Sequence, residues 1–252
     1  THLVERQRIQ DEYSELEAQH QQSRLQQDFV STISHELRSP LGFIKGYTTT
    51  LLRSDTEWDH TTQMEFLKII DEETDHMQEL IENLLDSARL QAGQLRFQFQ
   101  LVRLDSVVND VIIRTNLHNP DLVFHFDFPS GLQPITADPV RLAQVLENLT
   151  SNAIKYAPGS DILITIKQDN EKSEISFTDQ GSGIPESYLP FIFDRFFRSP
   201  DTPTVHGSGL GLFICKHIIQ AHQGDISAQS NLGQGTTFQI VLPNQLKPVD
   251  LT

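Results

Sequence analysis

Phe29-Val30-Ser31-Thr32-Ile33-Ser34-His35-Glu36-Leu37-Arg38-Ser39-Pro40-Leu41 is the stretch on which the reading of this chain turns. Wound as a helix at about 100° per residue, it brings Val30, Ile33, Leu41, Ile44, Thr48 and Leu51 within roughly 40° of Leu37, an apolar stripe suited to burial. His35 falls roughly 160° from Leu37 and points outward, and Ser39 stands one turn further along that outer face. Pro40 removes the hydrogen bond to the carbonyl of Glu36 and bends the axis just after the histidine. A lone outward histidine is ordinarily a solvated bystander. An imidazole beside a carboxylate, one turn from a hydroxyl and a bend, has the parts of a nucleophilic site.

Working outward, residues 1 to about 28 are rich in Gln, Glu and Arg and contain neither Gly nor Pro. Ile9, Leu16 and Val30 fit a seven-residue spacing that Ser23 breaks, so a coiled coil and a solvated helix are both open here. The histidine helix is expected to run to about Arg53. Ser54–Asp59 reads as a turn, with Asp59 able to cap the next helix. In that helix Phe66, Ile70, Glu73, Met77, Leu80, Leu84 and Ala88 recur at steps of three and four as far as Gln91, and Gly93 stops it. Each of the two helices carries an apolar stripe too large for its single partner. Two hairpins pairing into a four-helix bundle is the natural burial, so a homodimer is expected.

From Gln94 the texture changes, and the domain break is expected near residue 95. Alternating segments predict strands at Phe97–Leu101, Leu122–Phe128, Ile162–Ile166, Glu174–Thr178, Ile226–Ser230 and Phe238–Leu242. Helical patterns lie at Leu104–Asn116, Val140–Tyr156 and Leu210–Ala221. Grouped helices with mixed strands predict an α+β chain, a helical hairpin followed by a two-layer α/β sandwich. The expected division is 1–28 as a leading helix, 29–94 as the hairpin, 95–246 as the sandwich and 247–252 as a tail.

A net charge of −15 over 252 residues argues against a nucleic-acid-binding surface and against docking on anionic lipid. A nucleotide remains acceptable if a few cations and a metal ion meet its phosphates. The single cysteine, Cys215, excludes an internal disulfide, fits a reducing compartment and sits in an apolar run as a buried, inert thiol. No stretch reaches the roughly 18 apolar residues of a membrane span, and the N-terminus is no signal peptide. A cytoplasmic location is expected, with any membrane anchor belonging to sequence outside this chain.

Three signals in the second half point to one kind of ligand. In Val140–Tyr156, Leu142, Val145, Leu146, Leu149 and Ala153 form the buried stripe, while Asn148, Asn152 and Lys155 share a separate polar face. That face is either merely solvated or a place where Asn152 gives an amide oxygen to a hard cation and Lys155 meets phosphate. Next, Ile175–Pro185 is a strand that ends on Asp179 and runs into Gly181 and Gly183. It is either an ordinary Asp-Gly turn or a carboxylate placed to accept from an exocyclic amine. Third, Gly207-Ser208-Gly209-Leu210-Gly211-Leu212 leads into a helix, whose N-terminal N–H groups suit phosphate. It follows no strand and lacks Gly-Lys-Ser/Thr, so neither a Rossmann fingerprint nor a P-loop fits. Between the glycine loops Phe191–Arg198 reads as a short aromatic-packed helix. Ser199–His206 reads as part of a mobile lid, with Arg198 a candidate contact to a terminal phosphate.

These residues, in this order, resemble the catalytic core of bacterial sensor histidine kinases of two-component systems. Phe29–Leu41 is similar to the H box of the dimerisation and phosphotransfer domain, and Asn148–Tyr156 to the N box. Asp179–Ile184 is similar to the first glycine box, Phe193–Arg198 to the F box, and Gly207–Leu212 to the second glycine box. Gly233–Phe238 matches the closing Gly-x-Gly-Thr-x-Phe strand. The resemblance covers residues 25 to 243 and implies an ATP domain of the Bergerat type, shared with DNA gyrase B and MutL.

Carried over by position, it implies that His35 is the phosphoacceptor and Glu36 the carboxylate that orients its ring. Asn152 would hold magnesium with Asn148 beside it, Lys155 would meet phosphates, Tyr156 would pack near the nucleoside and Asp179 would bind the adenine amino group. An aspartate on a response regulator receiver domain would take the phosphoryl group. One position departs from the pattern. Four residues after the histidine, where Thr or Asn is common and serves dephosphorylation of the partner, stands Ser39, whose hydroxyl can still position water. The resemblance leaves that reverse activity open.

Overall fold

A computed structural model describes residues 31, 33–199 and 207–246. The expected leading helix, most of the lid segment and the C-terminal tail lie outside the described residues. The described residues form two compact units, one ending at Glu82 and the other beginning at Asn83.

The first unit is the helical hairpin. Helix α1 runs over 33–51 without interruption at Pro40, and α2 spans His60–Gln91. Asp59 caps α2 as its position implies: its carboxylate accepts from the Thr62 N–H at 2.9 Å and from the Thr62 hydroxyl at 2.8 Å. The turn between the helices is closed by rings. Phe66 packs 5.2 Å from both Tyr47 and Trp58, and the Trp58 indole N–H donates to the Thr50 carbonyl at 3.1 Å. Ile33, Leu37, Ile44, Thr48 and Leu51 of the expected stripe are half-buried, but Leu41 is 56% exposed. Phe43, Met64, Leu67 and Ile81 are exposed as well, so a single hairpin leaves much of its apolar surface in water.

The second unit opens with the last turns of α2. Leu84 and Leu90 pack against its core, and the Asp86 carboxylate accepts from Arg141 at 2.6 Å and from the Gln144 amide at 2.9 Å. Gly93, at φ +63°, then ends the helix, with the Gln94 N–H closing back on the Arg89 carbonyl at 2.8 Å.

Five strands form the main sheet in the order β2 (Phe124–Asp127), β4 (Ile162–Gln168), β5 (Lys172–Asp179), β7 (Thr236–Pro243), β6 (Asp225–Ser230). Only the β2–β4 pair is parallel. Helices α3 (Leu104–His118), α4 (Pro139–Tyr156) and α5 (Gly211–Ala221) supply the second layer, with α4 packed against both others. The alternation in the strands decides the sides. Ile162, Ile164 and Ile166 of β4, Ile175 and Phe177 of β5 and Phe238, Ile240 and Leu242 of β7 are all buried. Each such side chain contributes about 1.5–3 kcal/mol relative to exposure.

A two-stranded ribbon, β1 (Gln100–Val102) with β3 (Ile135–Ala137), runs antiparallel beside this layer pair. The alternating Phe97–Leu101 segment becomes a strand only at its end. The Gln98 N–H donates to the Asp138 carboxylate at 2.7 Å instead of entering a ladder, and Phe97 stacks on Phe99 at 5.8 Å. No helix of the described residues is long and apolar enough to cross a membrane.

Candidate functional site

Helix α4 begins at Asp138, whose carboxylate accepts from the N–H groups of Val140 and Arg141, with Pro139 at the first helical position. With its start pinned there and Leu142, Val145, Leu146, Leu149 and Ala153 turned into the core, the helix must direct Asn148, Asn152 and Lys155 elsewhere. All three are half-buried, whereas Glu147 and Tyr156 are exposed.

Asn148 faces the start of α5. A Cβ built at Gly211 would stand 2.8 Å from the Asn148 Oδ1, so glycine is what lets the two helices meet here. Beside it the Cys215 thiol donates to the Val145 carbonyl at 3.8 Å, and burial pushes that thiol up to about 12, which keeps it protonated. Asn148 therefore sits where α4 meets α5, and Asn152 stands one turn on, half-buried.

The first glycine loop lies at the other end of α4. Asp179 ends β5 and is 8% exposed; its Oδ1 accepts from the Gly181 N–H at 2.9 Å and from the Thr236 N–H at 3.3 Å. Burial raises the carboxyl above its usual range, and the two N–H groups oppose that rise. Oδ2 has no hydrogen-bond partner among the described residues. Gly181 sits against Ala157 and the Tyr156 carbonyl, and Gly183 lies against Asn231 in the turn between β6 and β7.

The segment from Pro185 to Phe197 winds in successive turns, the N–H groups of Tyr188, Phe191, Asp194 and Phe197 each returning three residues back. Its own Ile192 and Phe193 are buried. At its end Phe196 takes φ +65° and donates its N–H to the Gly209 carbonyl at 2.9 Å. That joins the aromatic segment to the second glycine loop. Arg198 lies immediately after this junction, half-buried. Gly207 and the buried Ser208 lead through Gly209 and Leu210 to the start of α5.

The polar face of α4, Asp179 with its glycines, the aromatic segment and the loop before α5 thus belong to one region of the second unit. Sequence reading had marked each of them separately. Ser230 and Thr236 enter it only as strand residues, Ser230 ending Ile226–Ser230 and Thr236 within the closing Gly233–Phe238. Both hydrogen-bond within that region, and the period-two pattern of β6 and β7, which sets them beside Asp179, is the signal that could have found them. The remaining marked residues lie in the hairpin unit. On α1, His35 is exposed, Glu36 is 4% exposed and Ser39 is half-buried. The imidazole is available to a reactant and its neighbouring carboxylate is held inside.

Chemically, an inward carboxylate, amides and a lysine on one helix, and N–H groups at a helix start can accept an amine and receive phosphates. For a hard cation the donors are few. No group of three His, Cys, Asp or Glu side chains is placed to hold a metal among the described residues, while Asn152 offers one neutral oxygen. That donor set fits magnesium, which keeps waters and is completed by substrate phosphates.

Comparisons with known proteins bear on both units. Residues 25–93 match the family described as His Kinase A (phospho-acceptor) domain, and residues 137–246 match Histidine kinase-, DNA gyrase B-, and HSP90-like ATPase. The Sensor protein SrrB of Staphylococcus aureus strain MRSA252 is 35% identical over 230 residues, covering 89% of this chain and 39% of that protein. The chain thus spans about two fifths of the length of the curated relatives it matches. Among solved structures, the Acinetobacter baumannii histidine kinase AdeS is 26% identical with a TM-score of 0.63, over 83% of this chain and 98% of that one. Histidine kinase ThkA, solved in complex with response regulator protein TrrA, is 25% identical with a TM-score of 0.63, over 86% and 61%. Full-length ShkA in complex with AMPPNP is 26% identical with a TM-score of 0.62, over 88% and 46%.

Proposed function

The chain belongs to the bacterial sensor histidine kinases, and on that footing we propose that it is a phosphorelay core: ATP phosphorylates His35, which passes the phosphoryl group to an aspartate of a response regulator receiver domain. The observation that carries this reading is the gathering of Asn152, Lys155, Asp179 and both glycine loops in one region of the second unit, with an exposed His35 on the hairpin. The ShkA complex with AMPPNP supports a nucleotide as ligand, and the ThkA–TrrA complex supports a response regulator as partner. The working division is 29–94 for dimerisation and phosphotransfer and 95–246 for ATP binding, on the cytoplasmic side of whatever anchors the full-length protein.

In the first step the lone pair of the His35 ring nitrogen forms the N–P bond as the bond from the γ-phosphorus to its bridging oxygen breaks. That electron pair leaves on ADP. Glu36 orients the ring by holding the proton of the other nitrogen. Asp179 accepts from the adenine amino group, Tyr156 packs near the nucleoside, and Lys155 and Arg198 spread the charge that develops on the phosphoryl oxygens. The N–H groups of the loop Gly207–Gly211 receive the phosphates. Magnesium, held by Asn152, would supply charge neutralisation when bound. In the second step the receiver carboxylate attacks phosphorus and the N–P bond breaks, returning the ring to its neutral form. Ser39, one turn from His35, holds a hydroxyl that positions water to attack the aspartyl phosphate of the regulator, releasing inorganic phosphate and the free carboxylate.

Exposed apolar side chains along the hairpin, Leu41, Phe43, Met64, Leu67 and Ile81, support a homodimer closed as a four-helix bundle. The test of the relay is incubation with γ-labelled ATP. Acid-labile, alkali-stable label on the wild type and none on His35→Gln are expected. Label retained by His35→Gln would assign the acceptor elsewhere.

A further inference from the structure

Where the apolar face of the sheet ends, the register sets one polar residue from each of three adjacent strands in a row. Asp179 of β5 pairs with Thr236 of β7, and Thr236 pairs with Ser230 of β6. The neighbouring rows on that face are Phe177, Phe238 and Ala228, then Ile175, Ile240 and Ile226, so at this end of the strands the face changes from apolar to polar.

The Ser230 hydroxyl has three neighbours: the Gly235 carbonyl at 2.7 Å, the Ile184 N–H at 2.8 Å and the Thr236 hydroxyl at 3.0 Å. A serine hydroxyl has one proton and two lone pairs. The carbonyl can only accept and the N–H can only donate, so the proton goes to Gly235 and one lone pair to Ile184. The contact with Thr236 must then run the other way, with Thr236 donating. Its single proton is committed to Ser230, and the Thr236 oxygen offers only lone pairs to any other group. Beside it, the ionised Asp179 is acceptor-only too, with Oδ1 occupied by two N–H groups.

We propose that Ser230 is a positioning residue that fixes this end of the pocket as acceptor-only, selecting a purine with a 6-amino group over one with a 6-oxo group. The inference rests on the reading above that Asp179 receives the base. Ser230 does not touch the nucleotide. It acts through the direction of the Thr236 hydroxyl and through the Ile184 N–H, which ties the first glycine loop to the sheet. Without it the Thr236 hydroxyl is free to rotate and donate to a 6-oxo group, weakening the discrimination.

The test uses the whole chain and measures dissociation constants for ATP and ITP, which differ in the 6-substituent of the base. Ser230→Ala is expected to lower the wild-type preference for ATP by about three- to tenfold, an amount set by one hydrogen bond. Ser230→Thr, which restores a hydroxyl, is expected to recover the preference. Thr236→Val should lower the preference by itself, and adding Ser230→Ala to it should change the ratio no further. Parallel losses for both nucleotides in Ser230→Ala, with the ratio kept, would make Ser230 merely structural and overturn the proposal. Should Ser230→Ala not fold, an unchanged ratio in Thr236→Val overturns it equally. A wild type that does not prefer ATP overturns the adenine reading itself, and the proposal falls with it.

Discussion

The Nε2 of His222, at the end of α5, accepts a hydrogen bond of 2.9 Å from the backbone N–H of Asp138, the residue that caps α4. Its Nδ1 donates to the Ile218 carbonyl at 2.7 Å, and Phe97 and Phe99 meet the ring edge-on. One neutral imidazole thus joins the start of α4, the end of α5 and the segment arriving from α2.

Protonation would put a proton where the Asp138 N–H already points, so this joint is sensitive to acid. Burial holds the His222 pKa below its usual 6.5, and of the charged groups around it only the Asp138 carboxylate pulls the other way. The folded state therefore binds fewer protons than the unfolded one below about pH 6.5, and stability is present above that value and lost as pH falls through the window beneath it. Denaturant unfolding should show a loss of up to about 1.4 kcal/mol per pH unit there. His222→Gln keeps an acceptor without the titration, and its stability should be flatter over the same range. Equal slopes in the two proteins would remove His222 from the pH response.

Asp179 has the opposite sign. Burial raises its folded pKa above 3.8, so the ionised carboxylate costs stability above the folded value, and the cost vanishes as pH falls below 3.8. Asp179→Asn removes the charge and keeps an oxygen for the Gly181 and Thr236 N–H groups. The ATP-free protein should be as stable at neutral pH or gain up to about 1 kcal/mol, while ATP binds at least about tenfold more weakly. Unfolding curves and a binding titration on the same preparation check both. A variant that loses stability together with affinity would make Asp179 a structural carboxylate.

Much of this was legible in the sequence where local chemistry decides. Asp59 capping α2, Gly93 ending it and the alternation of β4, β5 and β7 all act through near neighbours. What stayed hidden depends on distant partners. Ile135–Ala137 is three residues between Pro134 and Asp138-Pro139 and becomes a strand only because β1 lies beside it. The Phe97–Phe99 alternation is that of a strand, yet its rings are claimed by His222. Ser230 carries no motif at all; its role comes from a register linking it to Asp179 through Thr236.

The hairpin gives a prediction about assembly. Leu41 is 56% exposed and Leu67 49% exposed, although both belong to amphipathic helices. If a second copy covers them, each contributes about 1.5–3 kcal/mol to association. Leu41→Glu should therefore shift the species seen by light scattering from dimer toward monomer by at least about tenfold in dissociation constant. The second unit should keep its unfolding midpoint and its ATP affinity. A wild type that is monomeric at tens of micromolar would rule the bundle out.

The second glycine loop separates packing from binding. At Gly209 φ is +66°, and an added Cβ would stand 2.7 Å from the Phe196 backbone carbon and 2.8 Å from the Phe197 carbonyl oxygen. At Gly207 nothing lies within 4 Å of such a Cβ, and φ is in the ordinary range. Gly209→Ala must adopt a left-handed backbone, costing about 1–2 kcal/mol, and must also displace the aromatic segment. It should lower the unfolding midpoint and weaken ATP binding together. Gly207→Ala should leave the midpoint within about 0.5 kcal/mol of the wild type. Any fall in its ATP affinity or labelling of His35 then comes from the ligand side of the loop. A Gly207→Ala protein with wild-type affinity and labelling would show that the phosphates do not approach this glycine, and would confine them to the N–H groups nearer α5.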